Sequence, residues 1–60
     1  MNAQANFTIV DNSGKPYSSS IKLEMYTSNV MQEIKDRVVS TYNLKNVDQI
    51  KTIGNIEVSY

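Results

Sequence analysis

The sequence predicts an α+β fold in ββαββ order, a four-stranded mixed sheet with one amphipathic helix packed on one face. Three observations carry that expectation. Ile21, Leu23 and Met25 alternate with Lys22, Glu24 and Tyr26, the period of a strand with one buried face. From Val30 to Tyr42 the apolar residues recur at three- and four-residue spacing, the period of one helix face. Turn formers cluster at 11–16 and again at Gly54-Asn55, where neighbouring strands would reverse.

Residues 7–11 predict the first strand, since Phe7, Thr8, Ile9 and Val10 are aromatic or β-branched, with Phe7 and Ile9 in alternation. Ala3 and Ala5 extend the same face backward, so residues 1–5 either lengthen this strand or stay outside the fold. Asp11-Asn12-Ser13-Gly14-Lys15-Pro16 then reverses the chain, because Asx and Ser side chains bond nearby backbone, Gly accepts positive φ and Pro fixes its own. A phosphate-cradling loop would need more glycines and a helix after it, whereas Pro and a strand follow here. Tyr17 and the Ser18-Ser19-Ser20 run form a loose hairpin arm leading into the alternating strand.

Thr27, Ser28 and Asn29 are three candidate N-caps, and Asn29 with Gln32 has the spacing of a capping box. Val30 or Met31, Ile34, Val38 and Tyr42 form the apolar stripe, and Gln32, Glu33, Asp36, Arg37 and Ser40 form the wet side. Tyr42-Asn43-Leu44 predicts the end of the helix, with Asn43 in the left-handed conformation and Leu44 folding back onto the last turn. After a short link, Lys45-Asn46-Val47-Asp48, a last β pair is expected at 49–52 and 56–60. Its register has two solutions. A two-residue Gly54-Asn55 turn sets Ile53 opposite Ile56 but Lys51 beside Val58. A three-residue loop at 53–55 sets Thr52 opposite Ile56 and Ile50 opposite Val58, and is preferred because apolar residues then share a side. The expected core is Phe7, Ile9, Ile21, Leu23, Met25, Val30, Ile34, Val38, Tyr42, Leu44, Ile50, Ile56, Val58 and Tyr60.

Joining two hairpins through one helix brings the first and last strands together as a parallel pair. In that order of elements, over residues 7–60, the chain resembles the β-grasp group in the minimal form of the immunoglobulin-binding domains of protein G. The resemblance implies the sheet order 2-1-4-3, with the helix packed diagonally. Leu23-Glu24-Met25, Thr27-Ser28, the helix and Tyr42-Asn43-Leu44 are similar to the strand, capped helix and helix-ending turn of ubiquitin-like proteins. The chain departs from that family at Ser59-Tyr60, where a terminal Gly-Gly would stand, so the resemblance does not extend to conjugation. No antibody-contacting residue of protein G finds a match to carry over.

Sixty residues suit a single domain spanning 1–60. With 40% hydrophobic and 20% charged residues, the composition is that of a folded chain rather than a disordered one. Six Lys plus Arg against six Asp plus Glu leave no net charge, which argues against a phosphate-tracking surface. The absence of Cys and His removes thiol nucleophiles, disulfides, soft-ligand zinc sites and imidazole bases together. The carboxylates of Asp11, Glu24, Glu33, Asp36, Asp48 and Glu57 are scattered, so neither an enzyme, a cofactor nor a metal is expected. Residues 1–6 have no basic and apolar pattern, which predicts no signal peptide or membrane span and a cytoplasmic address. The Asn6-Phe7-Thr8 sequon is then a chance match. Met1 is expected to open a complete product, and the abundance of Asn, Ile, Lys and Tyr points to a low-GC bacterium or its phage.

What remains is surface. The expectation is a small non-enzymatic intracellular protein-interaction domain, an adaptor or an inhibitor of a larger protein. It would bind by strand addition at a sheet edge or by docking on the sheet face bearing Thr8, Val10, Lys22, Glu24, Tyr26, Glu57 and Ser59. Val10, Tyr17, Lys22 and Tyr26 are the candidate partner-contacting residues, although each also suits an ordinary cross-strand pair. One alternative is a nucleic-acid-binding protein whose sheet stacks bases on Tyr17 and Tyr26 and neutralises phosphate with Lys22, which the zero net charge opposes. Another is a homo-oligomeric structural component joined through its sheet edges.

Overall fold

A computed structural model describes residues 1–25 and 29–60 of the chain. Its first two strands, β1 (Asn2–Val10) and β2 (Pro16–Glu24), form the expected hairpin and pair without a break from Asn2 opposite Glu24 to Val10 opposite Pro16. Residues 2–5 are therefore strand, and Tyr17 with its three serines is regular β2 rather than a loose arm. The reversal is held by Asp11, whose Oδ1 accepts from the Ser13 and Lys15 amides at 2.9 Å each and from Ser13 Oγ at 2.7 Å. Gly14 supplies the positive φ, 84°, that the tight return needs.

Helix α1 (Val30–Tyr42) follows the predicted stripe, with Ile34 and Val38 fully buried. Asn29 takes the N-cap position, but its side chain makes no cap hydrogen bond. At ψ 72° its backbone is away from the extended conformation that aims an Asx oxygen at the first turn, and Gln32 bonds Asp36 instead, at 2.8 Å. The other two candidate caps, Thr27 and Ser28, lie outside the described residues. At the far end Asn43 is left-handed, φ 56°, and the Leu44 amide returns to the Val39 carbonyl at 3.0 Å, which buries the Leu44 side chain.

After the helix a single 3₁₀ turn (Val47–Gln49) leads into β3 (Ile50–Ser59). Here the structure departs from the sequence reading. Among the described residues the sheet has three strands in the order β2-β1-β3, and β3 runs antiparallel to β1 along its length. The four-stranded ββαββ sheet of order 2-1-4-3, its C-terminal hairpin and its parallel pairing of first and last strands are not formed, so the β-grasp architecture does not hold. Length explains why. β1 has nine residues and spans about 30 Å. One ten-residue strand satisfies its second edge from Ile9 to Asn2, whereas two strands of four or five residues would leave half of that edge unpaired.

Gly54-Asn55 is consequently not a turn. Gln4 faces Glu57 and Asn6 faces Gly54, so Asn55 and Ile56 together oppose Ala5 in a bulge, with Asn55 at φ 51°. Lys51 is the extra residue of a second bulge, between Thr52 opposite Thr8 and Ile50 opposite Ile9. Asn tolerates a left-handed φ in a bulge as readily as in a turn, which is why the dipeptide misleads.

The core lies between the helix and one face of the sheet. Ala3, Ala5, Phe7 and Ile9 of β1 and Leu23 of β2 are buried, joined by Met25, Ile34, Val38 and Leu44. The two alanines, expected only to prolong a strand, are part of the core. Ile56, Val58 and Tyr60, expected in the core, are instead 38%, 39% and 102% exposed. A helix about 10 Å across covers about two strands spaced by about 4.8 Å. This one lies nearest β2, on the far side of β1 from β3.

Candidate functional site

The two ends of β3 are built differently. Its start is fixed by Gln49, whose Nε2 donates to the Val10 carbonyl at 3.1 Å and to Asn12 Oδ1 at 3.0 Å. The Oε1 of the same side chain accepts from the Lys45 and Asn46 amides at 2.8 and 2.9 Å, so the amide group is fully used. Asn46 completes a capping box by accepting from the Asp48 amide at 2.8 Å. Asn12 Nδ2 in turn donates to the Asn43 carbonyl at 2.8 Å, which ties the hairpin loop to the end of the helix. Asp11 in the same loop has its carboxyl held below the ordinary aspartate value, first by the Ser13 hydroxyl and then by the Lys15 amide. All these groups serve one another, and the cluster is structural.

Beside it stand three rings. Tyr42 of the helix packs at 5.5 Å between centroids on both Phe7 and Tyr17. Burial, and then the Tyr17 hydroxyl, raise the Tyr42 phenol above its ordinary value.

The sheet face away from the helix carries Asn2, Gln4, Asn6, Thr8 and Val10 on β1, flanked by alternate residues of β2 and β3. It is mostly polar, with Gln4, Lys22, Glu24 and Glu57 toward one end and smaller side chains toward the other. Thr8 and Ser18 share a hydrogen bond of 2.8 Å across the strands. Two shallow troughs lie along the sheet, one around Asn6, Thr8, Ser20 and Gly54, the other around Gln4, Lys22, Glu24 and Glu57. Lys22 shares its trough with two carboxylates. No three of the described acidic side chains lie close enough to share a metal ion.

The helix-side face of β3 is different. Ile50, Ile53 and Val58 oppose Ile9, Phe7 and Ala3, and Ile56 points the same way as Val58, two residues on. The two bulges keep all four in phase although they stand three, three and two residues apart. Ile50 and Ile53 pack against the core, whereas Ile56 and Val58 extend past the cover of the helix. These two apolar side chains stand together on a strand whose outer backbone edge has no partner strand among the described residues.

The structure separates the four residues singled out from sequence. Val10 and Lys22 are on the polar face, at opposite ends of it. Tyr17 is on the helix side, 46% exposed and packed on Tyr42. Tyr26 lies outside the described residues. Tyr17 and Lys22 thus do not converge on one stacking surface. The residues that sequence reasoning missed as surface are Ile56 and Val58. Their signal is the apolar spacing 50, 53, 56, 58, which no unbulged strand can place on one face. No helix among the described residues is long and apolar enough to cross a membrane. Comparisons of the chain with protein-family models, with curated proteins and with solved structures return no match.

Proposed function

We propose that this chain is a small non-enzymatic protein-interaction domain, an adaptor or an inhibitor, that receives an extended segment of its partner along the free edge of β3. One observation carries the reading. Ile56 and Val58, 38% and 39% exposed, line the helix side of an edge strand at the point where the helix no longer covers the sheet. Strand addition there satisfies the outward backbone groups of β3 and at the same time covers the two side chains, so hydrogen bonding and apolar burial act together. The polar face offers no comparable apolar anchor.

Selection of displayed random peptides on the immobilised protein tests the reading. The expected outcome is enrichment of sequences with alternating apolar residues whose binding shifts the amide resonances of Ile56, Glu57, Val58 and Ser59. Binding is expected to disappear in Val58→Lys. Failure to enrich any sequence over that variant, or shifts confined to Thr8, Ser18 and Lys22, contradicts it.

A further inference from the structure

We propose that the partner strand is β3 of a second copy of this chain, paired antiparallel across a two-fold axis that passes between the two Val58 residues. The inference rests on the edge-binding reading above and adds the identity of the occupant.

Edge pairing is open on one stretch of the sheet. Sheet edges are guarded against self-association by Pro, by Lys and by bulges. β2 begins at Pro16, which offers no N–H, and carries Lys22 exposed. β3 carries exposed Lys51 and, as far as Ile56, both bulges. From Glu57 onward none of these devices is present, and the strand is regular through Ser59. Exposed Val58 falls on this stretch, and exposed Ile56 stands at its border.

The stretch also complements itself in one register. In an antiparallel pair, opposed residues point to the same face of the sheet. With Val58 on the axis, Ile56 opposes Tyr60 of the second copy and Glu57 opposes Ser59 of the second copy. Apolar residues then meet apolar ones on the helix side, and polar ones meet polar on the other. Moving the axis by one residue to Glu57 sets two carboxylates face to face, which is destabilising. Moving the axis to Ile56 puts the Asn55–Ile56 bulge at the centre of the pairing instead of its outer end, and placing it at Ser59 leaves only three residues paired. Half-step shifts put apolar side chains opposite polar faces.

The axis is perpendicular to the sheet, so both helices lie on the same side. The sheet continues as β2-β1-β3 and then β3-β1-β2 of the second copy, six strands in all. The strip of Ile56 and Val58 that each helix leaves open becomes the floor between two helices. With no formal net charge on either copy, no overall repulsion opposes the approach.

Sedimentation equilibrium up to millimolar concentration reads the outcome. The wild type is expected to sediment as a dimer in the upper part of that range. Val58→Lys is expected to lose the dimer mass while keeping its circular dichroism spectrum, because two lysines then meet on the axis. An equimolar mixture of Val58→Lys with Val58→Glu is expected to regain it, since residue 58 opposes itself. A second variant covers the case in which charged substitutions disturb folding. The chain has no cysteine, and opposed residues lie about 4.5–5.5 Å apart between Cα atoms, within disulfide reach. Val58→Cys should therefore oxidise to a covalent dimer, and Thr52→Cys should not. A wild type that remains monomeric, a mixture that stays monomeric, or equal cross-linking at positions 52 and 58 overturns the proposal. If the monomer nevertheless binds selected peptides at Ile56 to Ser59, only the second-copy inference fails. If it binds none, the edge reading fails with it.

Discussion

The two ends of the molecule solve the same problem with different chemistry. At the hairpin-loop end the chain crosses from helix to sheet, and every junction is held by a named polar group: Asp11 in the loop, Asn12 on the Asn43 carbonyl, Gln49 on Val10, Asn46 on its own short turn. At the other end β3 runs out from under the helix, and Ile56 and Val58 stay open to solvent. The comparison teaches that a single short helix cannot cover a three-stranded sheet. At 13 residues it is about 20 Å long, against strands of about 30 Å. Where its cover fails, the chain either adds polar ties or leaves an adhesive edge, and this protein does one at each end.

The largest effect expected on that contrast comes from the residue both ends share. Ile34 is fully buried at the centre of the helix stripe, and Ile34→Ala should cost ~2–5 kcal/mol, enough to unfold a domain of this size. Urea unfolding followed by circular dichroism measures it, and an unchanged midpoint would remove Ile34 from the core. Gln49→Ala comes next. It strips partners from the Val10 carbonyl, Asn12 and the Lys45 and Asn46 amides, and should cost ~1–3 kcal/mol. Amide exchange should show the start of β3 losing protection while Val58 changes little. Equal loss at both ends of the strand would mean that the polar ties do not act locally.

A smaller effect is tied to pH. The Asp11 carboxyl titrates below its ordinary value in the fold, so the stability it adds is present above the unfolded value, about pH 3.9, and is lost as pH falls through the folded one. Asp11 sits in a surface loop and is only partly covered, so the slope is shallow. The wild type should lose more melting temperature between pH 5 and pH 2 than Asp11→Asn does, and parallel curves would assign the acid sensitivity elsewhere. Smallest of all is Val58→Ala. At an exposed edge it should change monomer stability by no more than about 0.5 kcal/mol, and a loss of several kcal/mol would show that the strip is core after all.

The hairpin, the helix and its left-handed stop were legible because each has a local signal: alternation at 21, 23 and 25, the stripe through Ile34 and Val38, and Asn43 before Leu44. Two features were not, for physical reasons. Asn-x-x-Gln occurs twice, at Asn29–Gln32 and at Asn46–Gln49, and spacing alone cannot say which pair closes a capping box. The structure uses the second, because Gln49 is also drawn to Val10 and Asn12 across the loop. The last strand was read as a hairpin because its apolar residues drift out of phase with a period of two. A hairpin and a bulged strand both repair that drift, and only the length of β1 decides between them. The candidate surface followed from this error, since Ile56 and Val58 were expected inside. Val10, Tyr17 and Lys22, the candidate partner contacts, lie scattered over two faces.

Because β3 is one bulged strand antiparallel to β1, Ile56 and Val58 stand on an open edge. Interstrand Hα–Hα and amide NOEs test that pairing most directly. Contacts of Ala3 with Val58 and of Ile9 with Ile50 are expected. Contacts of Ile9 with Val58, or between Ile50 and Val58 across a turn at Gly54, would contradict it.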